Sequence, residues 1–511
     1  MLPPTSQPID VEPIPPRYWW LKRILLASAV FVVLLVALRL WWGWEADRRL
    51  QAEIDRIIAA GEPIYPEDFD PKEKVPDDQN AAKLYQAAQD ALILTPEQIS
   101  AMGEMRSDAA TVRRHPGLVR SIVEGNPQAL ELARRARHFP RADWGLRYRS
   151  PVINRATFGT YTGERQLGKL LYCAAVHHAD AGNENEAVDA LLDTLALSRC
   201  LQQQPTLMAQ ITAWGIDSGA IRGVEELVLV PRGGAADGLH PATGVQIRAL
   251  LSALSDDAGF AEGMRQTWLA ERMSHIDSVA GMDRGAASIS TTFGPIAARP
   301  DLLWEAVYRP VFKLDMVRLS RQTHQRLETL QRSVYVPSTQ QADVGGVFES
   351  ALRPYSSILR GSQDHFERLY FRYLAWRRLA AVGLAIRLFC ADHGHRPATL
   401  SELVPHYLQH VPNDPFVADG RSIAYLPEAD PSMVYSIGTD GVDDGGRFVQ
   451  RGGYASGYKL DFPFFLDGSP PSKEEDGEPP ANASVETQKD PDDAEDGEGH
   501  GEKDQKREQE P

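Results

Sequence analysis

The longest run of apolar positions comes first in the chain: Ile24 to Leu38 is an uncharged stretch of 15 residues, ILLASAVFVVLLVAL. Trp19, Trp20 and Leu21 extend it on one side, and Leu40, Trp41, Trp42 and Trp44 on the other. Together they exceed the roughly 20 residues that a helix needs to cross the hydrocarbon core of a bilayer. Lys22, Arg23 and Arg39 stand where their side chains reach headgroups, and the tryptophans stand where an aromatic belt forms. A basic start followed by an apolar run also fits a cleaved signal peptide. No small-x-small site follows, however, and the bulky LRLWWGW suits signal peptidase poorly, so residues 19–44 are expected to persist as a transmembrane anchor in contact with membrane lipid. Arg17, Lys22 and Arg23 before the span balance Arg39, Arg48 and Arg49 after it, so charge alone does not orient the segment. Residues 1–18 hold six prolines and are expected to be disordered. A short tail left inside with the large domain exported is the usual arrangement. The chain is therefore expected in an inner (cytoplasmic) membrane, single-pass, with an extracytoplasmic body.

Past the span the apolar positions take a helical spacing. Leu50, Ile54, Ile57 and Ile58 predict a stalk helix over residues 45–60, stopped by Gly61 and Pro63. Ala81, Leu84, Tyr85 and Ala88 form the next stripe, and Thr95-Pro96-Glu97-Gln98 has the form of a capping box with proline in the first turn. The clearest block runs from about residue 164 to 229. Leu167, Leu170, Leu171 and Ala174 make one stripe and Val188, Leu191, Leu192 and Leu195 the next, with Asn183 and Glu186 spaced as cap and third helical residue between them. Pro205 is expected to open a third helix lined by Leu207, Ile211, Trp214, Ser218 and Ile221. This order resembles a tetratricopeptide-like hairpin; an ordinary antiparallel bundle is the alternative, since the period does not recur. Residues 230–240 read as a loop, Ile247, Leu250, Leu251 and Leu254 as helix, and residues 280–300, rich in Gly, Ala, Ser and Thr, as a flexible excursion. Residues 302–330 read as helix interrupted by Pro310, which completes a helical domain over 61–362.

The far end changes character. A long helix from about Asp364 to Ala391 leads into His393-Gly394-His395-Arg396-Pro397 and a short helix opened by Thr399-Leu400-Ser401-Glu402. Short strands follow at Ile423 to Leu426 and Met433 to Ile437, so residues 363–467 are expected to form a small α+β module. The predicted fold class is mainly α: anchor, helical bundle, α+β module and, over 468–511, a disordered acidic tail.

The elements of this last region resemble the C-terminal part of the major pseudopilin (protein G) of type II secretion systems. That family follows a long helix with Gly-x-x-Pro, a Leu-rich short helix, Asp-Pro-aromatic, and paired strands ending in Ser-x-Gly-x-Asp-Gly. Here these read Gly394 to Pro397, Leu400 to Leu408, Asp414-Pro415-Phe416 and Ser436 to Gly441. The resemblance covers about 90 residues; the rest of the chain looks like bacterial membrane-anchored proteins that bring no known activity with the likeness. It implies a calcium-binding loop, with Asp440, Asp443 and Asp444 as candidate ligands. Calcium takes six to eight hard oxygens, which carboxylates and free carbonyls on glycine turns supply; an Asp-Gly turn bonding its own backbone is the alternative. The family's more distal acidic ligand falls near Arg447 here. No prepilin-peptidase site precedes the anchor, which lies more than 300 residues from the similar region.

Charge narrows the functions further. The net charge of -16 is concentrated in the tail, where 15 acidic side chains face 5 basic ones, so the rest of the chain is only mildly acidic. No clustered basic run suits a phosphate backbone, so nucleic acid is not an expected partner. Cys173, Cys200 and Cys390 fall in apolar helical patterns and read as buried thiols, although a Cys173–Cys200 bridge stays open. His177 and His178 near Asp180, and His393 and His395 near Cys390 and Asp392, invite an acid-base or metal reading. Adjacent helical residues diverge by about 100°, which keeps the first pair from sharing one ligand sphere. The Arg-rich segment from Arg134 to Arg149, with Phe139 and Trp144, reads either as a partner surface or as a loop plugged into the bundle. Asn482-Ala483-Ser484 matches a glycosylation sequon. No nucleophile elbow, phosphate loop or zinc-protease motif is present. The expected function is a non-catalytic, membrane-anchored envelope protein that binds a protein partner; an anchored hydrolase with a cleft between body and C-terminal module is the alternative.

Overall fold

Apolar side chains from Trp19 to Leu40 need an environment other than water, and those after Ala46 find one on the body. In the computed structural model the described residues are 18–105, 109–150, 152, 161–228, 241–283, 302–336, 356–447, 450–451, 454–455 and 461–467. The Pro-rich start, the 230–240 loop, the excursion beyond residue 283 and the acidic tail with its Asn482 sequon lie outside them. The chain divides into two units, Met1–Pro470 and Pro471–Pro511, and everything described belongs to the first.

Anchor and stalk form one helix, α1 (Trp19–Ala59), of 41 residues, about 60 Å long at 1.5 Å per residue. It is long and apolar enough to cross a membrane. Gly61 ends it with φ +69, a left-handed turn that glycine adopts without strain. Its first half is exposed, whereas Ala46, Glu53 and Ile57 are buried.

A layer of short helices follows: α2 (Ala81–Asp90), α3 (Pro96–Glu104), α4 (Ala109–Arg113), α5 (Pro116–Gly125) and α6 (Pro127–Ala136). The capping box at α3 forms as the sequence predicts: Gln98 N–H donates to Thr95 Oγ1 at 3.3 Å and Thr95 N–H to Gln98 Oε1 at 2.9 Å. This layer packs on an antiparallel hairpin, α7 (Thr162–Asp180) and α8 (Glu184–Gln202), and the hairpin packs on α9 (Leu207–Gly223), which continues as a π turn over Val224–Val228. Two local expectations need correcting. Asn183 and Glu186 are the cap and third residue of α8 as expected, but no capping box closes: Asn183 makes no side-chain cap bond, its N–H donates to His178 O at 2.9 Å, and Glu186 accepts from Arg134 at 2.8 Å. The cap of α9 is Thr206, whose Oγ1 accepts from Ala209 N–H at 3.1 Å, so Pro205 precedes the helix without opening it.

Long helices complete the body: α10 (Pro241–Leu254), α11 (Asp257–Asp283), α12 (Leu302–Arg332) and α13 (Ser356–His393). Pro310 does not interrupt α12. A missing hydrogen bond is tolerated there because the helix is held by packing on α1 and α11. After α13 the expected short helix shrinks to a 3-10 turn, Leu400–Leu403. The sheet is antiparallel with order β1 (Ala424–Leu426), β2 (Met433–Ser436), β5 (Phe462–Phe465), while β3 (Gln450–Arg451) and β4 (Tyr454–Ala455) pair separately. Met433 lies opposite both Leu426 and Phe465. Packing runs without a break across residue 363: Val176, Leu191, Ile221, Leu384, Leu403, Val434 and Phe464 share one cluster. Trp214, Trp268, Phe371, Phe416 and Phe462 share another.

Candidate binding cleft

Where α8, α10, the start of α11, α13 and the segment Tyr407 to Pro412 meet, their side chains leave a cleft of about 980 Å³. This is near the upper end of the volumes found for ligand sites. Leu192, Leu195, Leu251, Phe260 and Leu408 give it an apolar floor. Arg137, Arg199, Arg248, Arg377, Arg378 and His410 line it together with two carboxylates, Asp256 and Asp257.

Three of the arginines are committed to the fold. Arg377, buried on α13, donates from Nη1 to Asp217 Oδ2 at 2.7 Å and from Nη2 to Ala253 O at 2.7 Å, and its guanidinium lies 4.9 Å from the Phe260 ring. Burial pushes the Asp217 carboxyl above its usual range, with Arg377 pulling it back. Arg378 donates to Asp257 Oδ2 at 2.9 Å and to Asn413 O at 2.8 Å. Arg137 meets Asp189 and Asp193, each at 3.1 Å. Asp193 is so deeply buried that its carboxyl is pushed up to about 6 despite Arg137 and Arg134.

Arg199 and Arg248 differ. Both are exposed on the cleft wall, and neither has a carboxylate partner among the described residues. Arg199 donates to Arg137 O at 3.3 Å and interacts with the Cys200 thiol. Asp256, on the facing turn, accepts Gly259 N–H at 2.9 Å. The cleft thus keeps an excess of positive charge above an apolar floor. The sequence pattern does not single out these arginines. The available signal was a pair of arginines inside an otherwise apolar stripe, which burial permits only when carboxylates lie behind them.

The residues singled out from sequence fall elsewhere. Asp440 Oδ1 accepts Val442 N–H at 3.1 Å, and Asp443 Oδ1 accepts Gly445 N–H at 3.0 Å and the Tyr435 hydroxyl at 3.1 Å. These are the self-bonded turns of the alternative reading. Asp444 N–H donates to Asp461 Oδ1 at 3.3 Å, and Asp461 Oδ2 accepts Gly446 N–H at 2.7 Å. Burial, with Asp443 and Asp444 close by, raises the Asp461 carboxyl. Among the described residues no three His, Cys, Asp or Glu side chains gather as a metal group.

His177 and Asp180 line a separate recess of about 340 Å³ beside Arg113, which pairs with Asp180 at 3.1 Å, and His178 does not line it. His393 stacks on Phe389 at 4.1 Å and His395 bonds Arg396 O, while Asp392 accepts the Tyr407 hydroxyl at 2.6 Å. Trp144 donates its indole N–H to Cys200 O at 3.0 Å, which makes the Arg-rich segment a plugged loop at that point. All three cysteines are free thiols. A pair that sequence reading missed, Glu271 and His275, stands one turn apart on α11 at 3.8 Å. Burial pushes the carboxyl up to about 7 and the imidazole down to about 4. Neither residue lines the cleft.

No protein-family model, no curated protein and no solved structure matches this chain. Its function is therefore argued from the geometry alone.

Proposed function

We propose that this chain is a single-pass, membrane-anchored interaction protein of the bacterial envelope, with its helical body on the outer side of the inner membrane. The observation that carries this reading is the division of α1. From Ile24 to Leu38 eleven large apolar side chains are exposed. Leaving them in water costs on the order of 20 kcal/mol at about 1.5–3 kcal/mol each, whereas a bilayer accepts them. From Ala46 onward the same helix docks on the body: Leu50 packs against Val279, Met316 and Leu319, and Ile57 against Ile276. Asp47 pairs with Lys313, and Glu53 accepts Ser320 Oγ at 2.8 Å.

The test is carbonate extraction of membranes from expressing cells, followed by protease treatment of intact spheroplasts. The body is expected to stay in the membrane pellet and to be digested from outside. Release by carbonate would remove the anchor, and protection in intact spheroplasts would reverse the orientation. The pseudopilin-like end and its calcium loop belong to the same proposal, supported by the buried Asp461 beneath Asp443 and Asp444. Calorimetric titration of the full chain with calcium tests it, and absence of heat at millimolar calcium removes it.

A further inference from the structure

We propose that the arginine-lined cleft binds an acidic, leucine-rich peptide segment of a partner protein, its carboxylates meeting Arg199 and Arg248 and its apolar side chains resting on Leu251, Phe260 and Leu408. This rests on reading the chain as an anchored interaction module. Three observations select the ligand class.

The first is charge. The two cations at the cleft wall have no carboxylate partner among the described residues, while the arginines behind them are already neutralised by Asp217, Asp257, Asp189 and Asp193. An incoming carboxylate therefore meets available guanidinium donors in a fork geometry suited to it. The second is composition. The floor is apolar, so a purely ionic ligand would leave it unfilled. Alternation of acidic and apolar side chains satisfies both walls.

The third is position. Leu50 packs on Val279, Ile57 on Ile276, and Glu62 pairs with Arg272, so α11 runs antiparallel to the docked part of α1. Its first turn, where the cleft lies, is thus carried about 30 Å away from the level of Leu50 at 1.5 Å per residue. Headgroups of the anchoring membrane are out of contact, and their field decays within about 8 Å at physiological salt. A soluble segment of another protein reaches the cleft, and a lipid of the same bilayer does not.

The experiment uses the full chain in a neutral maltoside detergent and a fluorescein-labelled heptapeptide of alternating glutamate and leucine, read by anisotropy. Comparators are the lysine-leucine heptapeptide, free glutarate, and the exposed-residue variants Arg199→Gln, Arg248→Gln and their double, with far-ultraviolet dichroism checking that each is folded. Saturable binding of the glutamate-leucine peptide is expected, weakened about tenfold by each single substitution and by raising salt from roughly 50 to 500 mM. The lysine peptide is expected not to bind. Equal affinity of a folded double variant, equal binding of the lysine peptide, or no saturation by about 1 mM peptide would overturn the proposal. Full displacement by equimolar glutarate would overturn it too, showing a site for small organic acids. A carbonate-resistant, outward-facing chain that fails these tests loses the cleft proposal alone, whereas a carbonate-released chain that passes them loses the anchor alone.

Discussion

Removing the buried partner of Arg377 tests the central joint of the fold. Asp217 on α9 is 1% exposed and Arg377 on α13 is 6% exposed. Their 2.7 Å hydrogen bond is continued by the Ala253 carbonyl at the end of α10 and by the Phe260 ring on α11. One guanidinium therefore ties four helices. Asp217→Leu leaves that cation buried with a single carbonyl acceptor, and breaking a buried pair from one side costs about 3–5 kcal/mol. Arg377→Met costs a similar amount, since it strands a carboxylate whose ionisation burial already opposes. The double variant has no stranded charge and restores apolar packing, so its cost falls to about 1–3 kcal/mol, that of the Ala253 carbonyl left without its partner. The coupling energy of the cycle is thus about 3 kcal/mol or more. Urea unfolding in neutral detergent, followed by tryptophan emission, reads it directly because Trp214 and Trp268 are buried in the adjoining cluster. The slopes of the four unfolding curves must agree for the comparison to hold. Additive single costs, with coupling below about 1 kcal/mol, would refute the claim that the two groups act as one unit.

Other outcomes follow from single side chains. Glu53 is 4% exposed on α1; burial raises its carboxyl, but bonds from Arg56 and Ser320 and the nearby Arg321 outweigh this and hold it below the usual range. Glu53→Ala should loosen the docked end of α1 by about 1–3 kcal/mol and speed hydrogen exchange over residues 46–59 about tenfold; unchanged exchange would show that this end is held by apolar contacts alone. Glu271 has a folded value raised to about 7, so its contribution is fully present below pH 4.5 and lost as pH rises through 7. Glu271→Gln removes that loss and should gain about 2 kcal/mol on the wild type between pH 4.5 and 8, allowing for the quarter of the side chain that reaches solvent. Parallel pH-stability curves for the two proteins would contradict the shift. Burial pushes the Cys173 thiol up to about 12 and Cys200 up to about 11. Both should resist a neutral disulfide reagent until urea unfolds the body, and rapid labelling of either in the native protein would show the packing to be wrong.

Local signals in the sequence located most helices. The Leu167 to Ala174 and Val188 to Leu195 stripes became α7 and α8, and the Thr95 capping box formed with the predicted partners. Helix periodicity is a local property, so a single chain displays it. The strand Phe462–Phe465 was not foreseen, because four consecutive buried residues carry no alternation, and its partner β2 lies 26 residues earlier. The cleft was not legible for a related reason. Arg199, Arg248 and Arg377 stand on three helices, and nothing in their spacing announces that Asp217 neutralises one of them while the others meet no carboxylate among the described residues. Asp440, Asp443 and Asp444 had the opposite history: their proximity in sequence drew attention, yet the geometry gives Asp440 and Asp443 backbone partners of their own.

The docking of α1 changes what anchoring achieves. A body on a flexible leash samples many heights and orientations, and its gain is an effective concentration set by linker length. Here the long apolar helix is continuous to Ala59, and Glu53, Ile57 and Asp47 fasten its last turns to α11 and α12. With α1 as the anchor, the body is held at a fixed attitude, and the first turn of α11 points the cleft away from the lipid. Little orientational freedom is left to lose when a partner binds, which lowers the entropic cost of association. On the proposal that the cleft takes a peptide, that same rigidity would restrict the partner to segments that present themselves about 30 Å beyond the level of Leu50, so geometry as well as charge would select what the cleft can hold.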